Sequence, residues 1–260
     1  MVKDGATMKL FEPITVNHVT IPNRTVVSAM VTELCAPDGM ATEAFIAYHE
    51  AKARGGWGLI IPENYVIAPG VGGFKNLPGL YSDGQIASHK ILTDRIHAAG
   101  AKIVCQLYHA GRRISREITG LEPVGPSALK FAGAPWEVSR ELTVPEIEKI
   151  VDQFADAAVR AQKAGFDGVE IHGGHGYLLH SFNSPFSNKR CDEYGGSISG
   201  RAKLSVDIIK RVREKVGKDF LIQYRISCEE GVPGAITIEE AKAIAMLLEE
   251  AGIDMLHVSQ

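Results

Sequence analysis

A regular alternation of two kinds of segment runs through the chain and constrains its fold more than any other feature. A short apolar run rich in β-branched residues is followed by a loop with glycine or proline, and then by a longer stretch with apolar spacing near 3.6. The strand-like runs are 25–30, 59–67, 102–108, 168–172, 220–226 and 255–258. The helix-like stretches are 43–54, 82–99, 145–164, 201–216 and 238–251. This order predicts parallel strands covered by helices.

Residues typical of helix ends support these boundaries. Thr143 and Thr237 each stand where a helix would begin, with an acidic residue three positions on, as in an N-cap with an acidic first turn. A glycine that follows a helix can adopt the left-handed conformation that ends it. Ala-Gly pairs end three of the stretches, at Gly100, Gly165 and Gly252.

The segment order favours a barrel over an open, doubly wound sheet. Strand and helix alternate without interruption, and no G-x-G-x-x-G sequence follows the first strand. We therefore predict an α/β fold of the (β/α)₈ TIM-barrel type, with a hairpin at about 14–24. The 260 residues hold about six β/α units, whereas a complete barrel would need roughly 70 to 90 more residues. We expect one domain over residues 1–260, truncated after strand six.

A long connection follows the third predicted strand, at about 111–143, and shows no clear element of its own. Loops of this length are usually functional or mobile. In a barrel this connection would overhang the carboxyl-terminal face of the strands, where active sites lie.

Composition excludes several classes of protein. With 45% hydrophobic and 23% charged residues, the chain is neither disordered nor fibrous. A net charge of −3 gives no electrostatic reason to bind nucleic acid or an acidic membrane, so a small molecule is the expected partner. No apolar run could span a bilayer, and residues 1–10 lack a signal-peptide core, so we expect a cytoplasmic protein. The four cysteines form no closely spaced pair, so the sequence does not indicate a local zinc or iron–sulfur site.

The densest group of chemically useful side chains follows the fourth predicted strand. His172, His175, Tyr177 and His180 lie there among three glycines. Two imidazoles at i and i+3 with a phenol two residues on can hold an oxygen and supply a proton, which suits acid-assisted reduction or enolate chemistry. Two other interpretations stay open: a polar strand end bonded to backbone, and a metal site. H-x-x-H without a placed glutamate or cysteine is a poor zinc signature, and we predict no metal.

This stretch and several others resemble one known family. The matching segments are His172-Gly-Gly-His-Gly-Tyr-Leu, Ser184-Pro-Phe-Ser-Asn-Lys-Arg-Cys-Asp-Glu-Tyr-Gly-Gly-Ser, Arg201, Leu10-Phe-Glu-Pro, Pro22-Asn-Arg, Gln106-Leu-Tyr-His-Ala-Gly-Arg, Gly125-Pro-Ser-Ala-Leu and Tyr224-Arg-Ile-Ser. They are similar to the barrel portion of the Old Yellow Enzyme family, and most of all to its enoate and 2,4-dienoyl-CoA reductase branch. The family barrel has eight strands, and the likeness covers essentially the whole chain.

The resemblance implies a flavoprotein oxidoreductase. Such an enzyme reduces the activated C=C bond of an enoate, enone or dienoyl-CoA with hydride from NAD(P)H, passed through FMN. Two alternatives stay open: a flavin-dependent amine dehydrogenase or demethylase, and an inactive incomplete barrel that only binds or scaffolds. An iron–sulfur cluster and FAD are implied only for a longer full-length protein. The expected partner is a small unsaturated substrate, with a second copy of the chain kept as a further candidate.

The family's site residues are assigned to this sequence by position. His172 and His175 would bond the substrate's carbonyl or carboxylate oxygen, and Tyr177 would give a proton to its α-carbon. Gln106 would bond the pyrimidine edge of the flavin, and Arg225 would stand near N1, where negative charge accumulates on reduction. The residues expected to contact FMN are Ala29, Met30, Val31, Asn64, Gln106 and Arg225.

Two departures from the family pattern concern the flavin. Val31 stands where the family often has threonine or cysteine, and a valine cannot donate a hydrogen bond to the flavin edge. The side chain of Thr32 is expected on the other face of the strand. The family holds the FMN phosphate in its last two β/α units, beyond the six found here. We therefore expect an altered flavin potential and weaker retention of FMN.

Overall fold

Parallel strands alternate with helices in the computed structural model, which describes residues 8–130 and 137–260. The strands are β1 (Ile14–Val16), β2 (Val19–Ile21), β3 (Val26–Val27), β4 (Leu59–Ile60), β5 (Asn64–Val66), β6 (Lys102–Tyr108), β7 (Val124–Gly125), β8 (Arg140–Glu141), β9 (Gly168–Gly173), β10 (Leu221–Ser227) and β11 (Met255–Ser259). The helices are α1 (Glu43–Arg54), α2 (Ile86–Ala98), α3 (Arg116–Thr119), α4 (Val144–Lys163), α5 (Leu178–Asn183), α6 (Ile198–Val216) and α7 (Ile238–Ala251). Short 3₁₀ turns lie at Lys9–Phe11, Asp83–Gln85 and Gly111–Arg113.

The main sheet is parallel, in the order β11-β10-β9-β6-β4-β3, with β5 also paired to β6. The antiparallel pair β1 and β2 forms a separate hairpin. Residues opposite one another on neighbouring strands share a face of the sheet. Two such rows matter below: Asn64, Gln106, Glu170 and Gln223 in the first, and His172 with Arg225 in the second.

Helix ends follow the sequence signals. Thr143 and Thr237 both form capping boxes, with Glu146 and Glu240 respectively, so each satisfies backbone N–H groups that the first helical turn leaves without partners. The three Ala-Gly glycines all have left-handed backbone, with φ of 86° at Gly100, 85° at Gly165 and 107° at Gly252.

The core lies between the helices and the outer face of the sheet. Phe154 of α4 and Ile208 of α6 are completely buried, as are Ile171 of β9 and Tyr224 of β10. Burial of each large apolar side chain stabilises the fold by about 1.5–3 kcal/mol. The helices thereby fix the outer face, while the inner face of the same strands carries the polar rows.

Two predicted strands are shorter in the structure than in the sequence pattern. The run 59–67 is broken into β4 and β5, because Pro62 between them has no N–H to donate to a neighbouring strand. The run 25–30 ends as a strand at Val27. A few residues further on, the N–H of Thr32 bonds to the carboxylate of Glu63, so a side chain and not a neighbouring strand holds the segment that follows the run.

The prediction that the long connection carries no element was wrong. It contains α3, and β7 pairs in parallel with β8. The guanidinium of Arg190 donates to the carbonyls of Leu142 at 2.6 Å and Pro126 at 3.2 Å, which ties the connection to the segment after β9. Such contacts join distant parts of the sequence, and local patterns do not reveal them. Residues 131–136 of the connection lie outside the described residues.

No helix within 8–130 and 137–260 is both long enough and apolar enough to cross a membrane.

Candidate active site

A cavity of about 310 Å³ lies at the inner face of the sheet, among the carboxyl-terminal halves of its strands. All nine residues predicted to serve catalysis or FMN binding line it, together with a tenth, Phe74. The lining residues are Ala29, Met30, Val31, Asn64, Phe74, Gln106, His172, His175, Tyr177 and Arg225. The structure therefore brings together side chains that are spread over almost 200 positions of the sequence.

Phe74 was missed by the sequence analysis because a single aromatic residue in a glycine-rich loop carries no pattern. The loop is held in place when the N–H of Gly73 donates to the hydroxyl of Tyr108 at 2.8 Å. Phe74 is 42% exposed, so it forms part of the rim of the cavity and not of its floor.

Polar atoms without protein partners mark the floor of the cavity. Within the described residues, Oδ1 of Asn64, Nδ1 of His172 and Nε of Arg225 are buried and form no hydrogen bond. Buried polar groups in folded proteins are nearly always hydrogen-bonded, so three orphaned atoms in one cavity indicate a ligand that would bond to them.

The two histidines are held by different means. His172 is the last inward-facing side chain of β9 and is only 4% exposed. His175 follows in a turn with a left-handed φ of 58°, where its N–H donates to Oγ of Ser227 at 2.9 Å. Its Nε2 lies 2.7 Å from Oγ of Ser259 on β11. These contacts bring the two imidazole rings to a centroid distance of 5.1 Å.

Both imidazoles are neutral at pH 7. Burial, reinforced by His175 and the Arg225 cation, holds the pKa of His172 well below its ordinary value of 6.5. Burial lowers the pKa of His175 to about 4, again with a contribution from Arg225. The arginine keeps its charge, because guanidinium groups stay protonated in proteins. The cavity thus offers neutral N–H donors beside one fixed cation.

Tyr177 lies against the histidines at the start of α5. Its ring centroid is 5.3 Å from that of His172 and 4.9 Å from that of Tyr108, which it meets edge-on. The Arg113 guanidinium lies 5.4 Å from the same ring. The phenol therefore shares one wall of the cavity with the two imidazoles, as a proton donor to a substrate held by them would.

The segment after β3 forms the apolar side of the cavity. Met30 is 66% exposed, and Val31 contributes no donor. The bond from the N–H of Thr32 to Glu63 holds this segment from behind. Burial raises the pKa of the Glu63 carboxyl to about 7, although its bonds to Thr32 act in the opposite direction.

Polar residues that follow Tyr177 in the sequence stabilise the local backbone and do not line the cavity. Nδ1 of His180 accepts from the N–H of Gly176 at 3.0 Å. The side-chain amide of Asn188 donates to the carbonyls of Phe182 and Tyr194, at 2.7 and 2.8 Å. These bonds tie down the segment that follows Tyr177.

Acid is expected to destabilise the fold steeply between pH 6.5 and about 4. Five histidines have a pKa lowered chiefly by burial, so they stay neutral in the folded protein while they are protonated in the unfolded chain. The pKa falls to about 3 at His49 and to about 4 at His89, His109 and His175, and it falls well below 6.5 at His172. The unfolded state thus binds more protons, and stability is lost as the pH falls.

Glu63 acts in the opposite sense, because its raised pKa lets the folded state hold one extra proton between pH 7 and 4.5. Unfolding at pH 5 should then take up about four protons, a slope of about 5 kcal/mol per pH unit. Urea unfolding at pH 7.5, 6 and 5 measures this slope. His89→Gln should reduce the uptake by about one proton. A midpoint that does not change with pH over this range would contradict the assignment of neutral buried histidines.

Comparison with known proteins adds a second line of evidence. Residues 9–260 match the model of the NADH:flavin oxidoreductase / NADH oxidase family. An NADH oxidase of Thermoanaerobacter brockii is 45% identical over 256 residues, 96% of this chain and 39% of the relative. An NADPH dehydrogenase of Listeria innocua serovar 6a is 37% identical, over 96% of this chain and 73% of the relative.

Solved structures agree with these matches. A complex of 2-naphthoyl-CoA reductase with 2-naphthoyl-CoA has a TM-score of 0.93 and 30% identity, covering 96% of this chain and 40% of that one. An Old Yellow Enzyme homologue from Zymomonas mobilis has a TM-score of 0.89 and 33% identity, over 96% and 73%. This likeness confirms the predicted TIM-barrel fold class. The chain spans about two fifths of the first relatives that it matches.

Proposed function

We propose, for a chain that belongs to the NADH:flavin oxidoreductase / NADH oxidase family, that the protein is an FMN-dependent ene-reductase. The resemblance to the Old Yellow Enzymes that the sequence predicted is confirmed at the level of the family. The reaction proposed is the reduction of an activated C=C bond with hydride from NADH or NADPH. The observation that carries the proposal is that this one cavity combines a polar floor, an apolar side and a wall of two imidazoles and a phenol.

The residues of this cavity fit a flavin ring. The apolar segment from Ala29 to Val31 offers one face to pack on, while Asn64 and Gln106 offer hydrogen-bonding groups to a polar edge. Arg225 would favour negative charge on the ring by electrostatic attraction. When bound, FMN supplies the hydride chemistry, from the nicotinamide to the β-carbon of the substrate.

The histidines and the tyrosine would act on the substrate. Neutral N–H groups of His172 and His175 would bond a carbonyl oxygen and stabilise the negative charge that develops there as an enolate forms. These bonds are stronger in a buried site than in water, because the local dielectric is low. Tyr177 would then transfer its phenolic proton to the α-carbon. Together the three side chains would polarise the C=C bond and complete its reduction.

The proposed substrates are enoates, enones and dienoyl-CoA esters. Support comes from the names of similar structures, which include a 2-naphthoyl-CoA reductase and a morphinone reductase. An iron–sulfur cluster and FAD stay predictions for a longer protein. Within the described residues no group of three histidine, cysteine, aspartate or glutamate side chains could hold a metal ion.

Anaerobic oxidation of NADH and NADPH with a panel of acceptors tests the proposal. The FMN-loaded protein should consume nicotinamide when an enone or an enoyl-CoA is supplied, and saturated product should form. Bleaching of the flavin by an N-methyl amine, with no turnover of any activated alkene, would instead identify an amine dehydrogenase. Protein that takes up no FMN at all would support the incomplete, non-catalytic barrel.

A further inference from the structure

We infer that Glu170 fixes the orientation of the Gln106 side-chain amide and so decides which hydrogen-bonding group the cavity offers to its ligand. Glu170 lies on β9, two residues before His172, and none of it is exposed. The inference rests on the proposed function in one respect, since Gln106 is taken to contact the flavin. Glu170 itself does not line the cavity, so it would act as a positioning residue.

The two oxygens of the Glu170 carboxylate have different partners. Oε1 accepts from Nε2 of Gln106 at 2.6 Å. Oε2 accepts from Nε2 of Gln223 and lies 2.7 Å from Nδ1 of His257 on β11. These four side chains come from four neighbouring strands, β6, β9, β10 and β11. The cluster therefore links these strands, and it reaches the cavity through Gln106.

An ionised carboxylate can only accept hydrogen bonds, whereas a primary amide has one end that donates and one that accepts. Gln106 must therefore turn its NH₂ group toward Glu170. Its carbonyl oxygen is left to face the cavity, where it would accept a bond from a ring N–H such as the imide N–H of a flavin. If the amide were rotated by 180°, the same position would offer a donor and would repel that N–H.

Glu170 also supplies negative charge beside the cation of the cavity. Burial lowers the pKa of Arg225, and the nearby Glu170 carboxylate acts in the opposite direction. Arg225 stands opposite His172 in the row next to Glu170. Loss of the carboxylate would therefore make the cavity more positive as well as release the amide of Gln106.

The substitution Glu170→Gln changes the contact with Gln106 and keeps the contacts with Gln223 and His257. With its new carbonyl at the Oε2 position, the side chain still accepts from Gln223 and His257. Its new NH₂ group then faces the NH₂ group of Gln106, which has to rotate and present a donor to the cavity. FMN affinity should fall about tenfold or more, since a hydrogen bond becomes a donor–donor contact. The potential of bound FMN should rise, because one negative charge has gone.

Combining Glu170→Gln with Gln106→Glu provides a rescue. The NH₂ group at position 170 can donate to the carboxylate at position 106, whose second oxygen again faces the cavity as an acceptor. FMN affinity should return toward the wild-type value. A role limited to stability predicts no such recovery, because a second buried substitution would only destabilise the barrel further.

Asp167→Asn is the matched control. Asp167 is a largely buried carboxylate just before β9 that accepts from the N–H of Ile103 and lies 2.8 Å from His97, away from the cavity. Its replacement should lower stability and leave FMN affinity and potential unchanged.

The experiment is a fluorescence titration of each apoprotein with FMN, followed by measurement of the potential of the bound flavin against a reference dye. Weaker binding and a raised potential in Glu170→Gln, with recovery of affinity in the double variant, support the inference. If Glu170→Gln keeps the wild-type FMN affinity and potential, or if the double variant binds FMN more weakly than Glu170→Gln, this inference is overturned while the proposed function stands. A wild-type protein that binds no FMN overturns the proposed function and this inference together.

Discussion

Replacing His172 and His175 together by alanine is expected to lower kcat/KM for an enone by about 10²–10³-fold or more, the loss typical of removing donors to a developing oxyanion. Both side chains line the cavity, and burial keeps both neutral as N–H donors. Without them the substrate oxygen would lose its hydrogen bonds at the moment when negative charge develops on it. Reduction of the flavin by NADH, which needs no such donors, should be less affected.

Phenol binding measures the same loss without turnover. A phenolate mimics the enolate, and in the family that this chain resembles it gives a long-wavelength charge-transfer band over the flavin. The band should disappear in the double variant. His89→Gln is the matched control, because His89 is completely buried outside the cavity, 3.0 Å from the carbonyl of Gly39. A band that survives the double substitution would show that the imidazoles do not form the oxyanion site.

Tyr177→Phe is expected to slow the step that reduces the substrate by about 10²–10⁴-fold, the usual contribution of a general acid. The ring stays in place against Tyr108 and His172, so only the hydroxyl group and its proton are lost. The step in which NADH reduces the flavin should keep its wild-type rate. Rapid-mixing experiments measure the two steps separately.

Tyr194→Phe controls for the loss of a hydroxyl elsewhere in the fold. Tyr194 is buried away from the cavity, and its hydroxyl donates to Asp207 at 3.1 Å. This variant should retain both rates. Equal slowing of the two steps in Tyr177→Phe would mean that Tyr177 shapes the flavin site instead of donating a proton.

Much of the fold could be predicted because its signals are local. The boundaries of α1 and β6 follow directly from apolar periodicity, and the capping residues Thr143 and Thr237 lie beside the helices that they begin. The shortening of the first strand could not be predicted in this way. The segment beyond β3 is held by contacts between residues distant in sequence, such as the bond from the N–H of Thr32 to Glu63, 31 positions away.

The candidate site, too, could be predicted only in part from the sequence. His172, His175 and Tyr177 could be picked out from their own chemistry, whereas the other six predicted residues came from a family likeness, and all nine line one cavity. Glu170 was missed although it lies only two residues before the segment that begins at His172. A signal was present, since an acid between Val169 and Ile171 interrupts a buried strand, and a buried charge requires partners. Its partners Gln106 and Gln223 could be recognised only from the order and register of the strands.

A single-turnover experiment tests whether this cavity reduces C=C bonds. The FMN-loaded protein is reduced anaerobically with one equivalent of NADH and mixed with an enone, while the flavin spectrum and the products are followed. We expect the oxidised flavin spectrum to return and one equivalent of saturated ketone to form per flavin. Flavin that stays reduced in the presence of enones, enoates and enoyl-CoA esters alike would contradict the assignment of this cavity to C=C reduction.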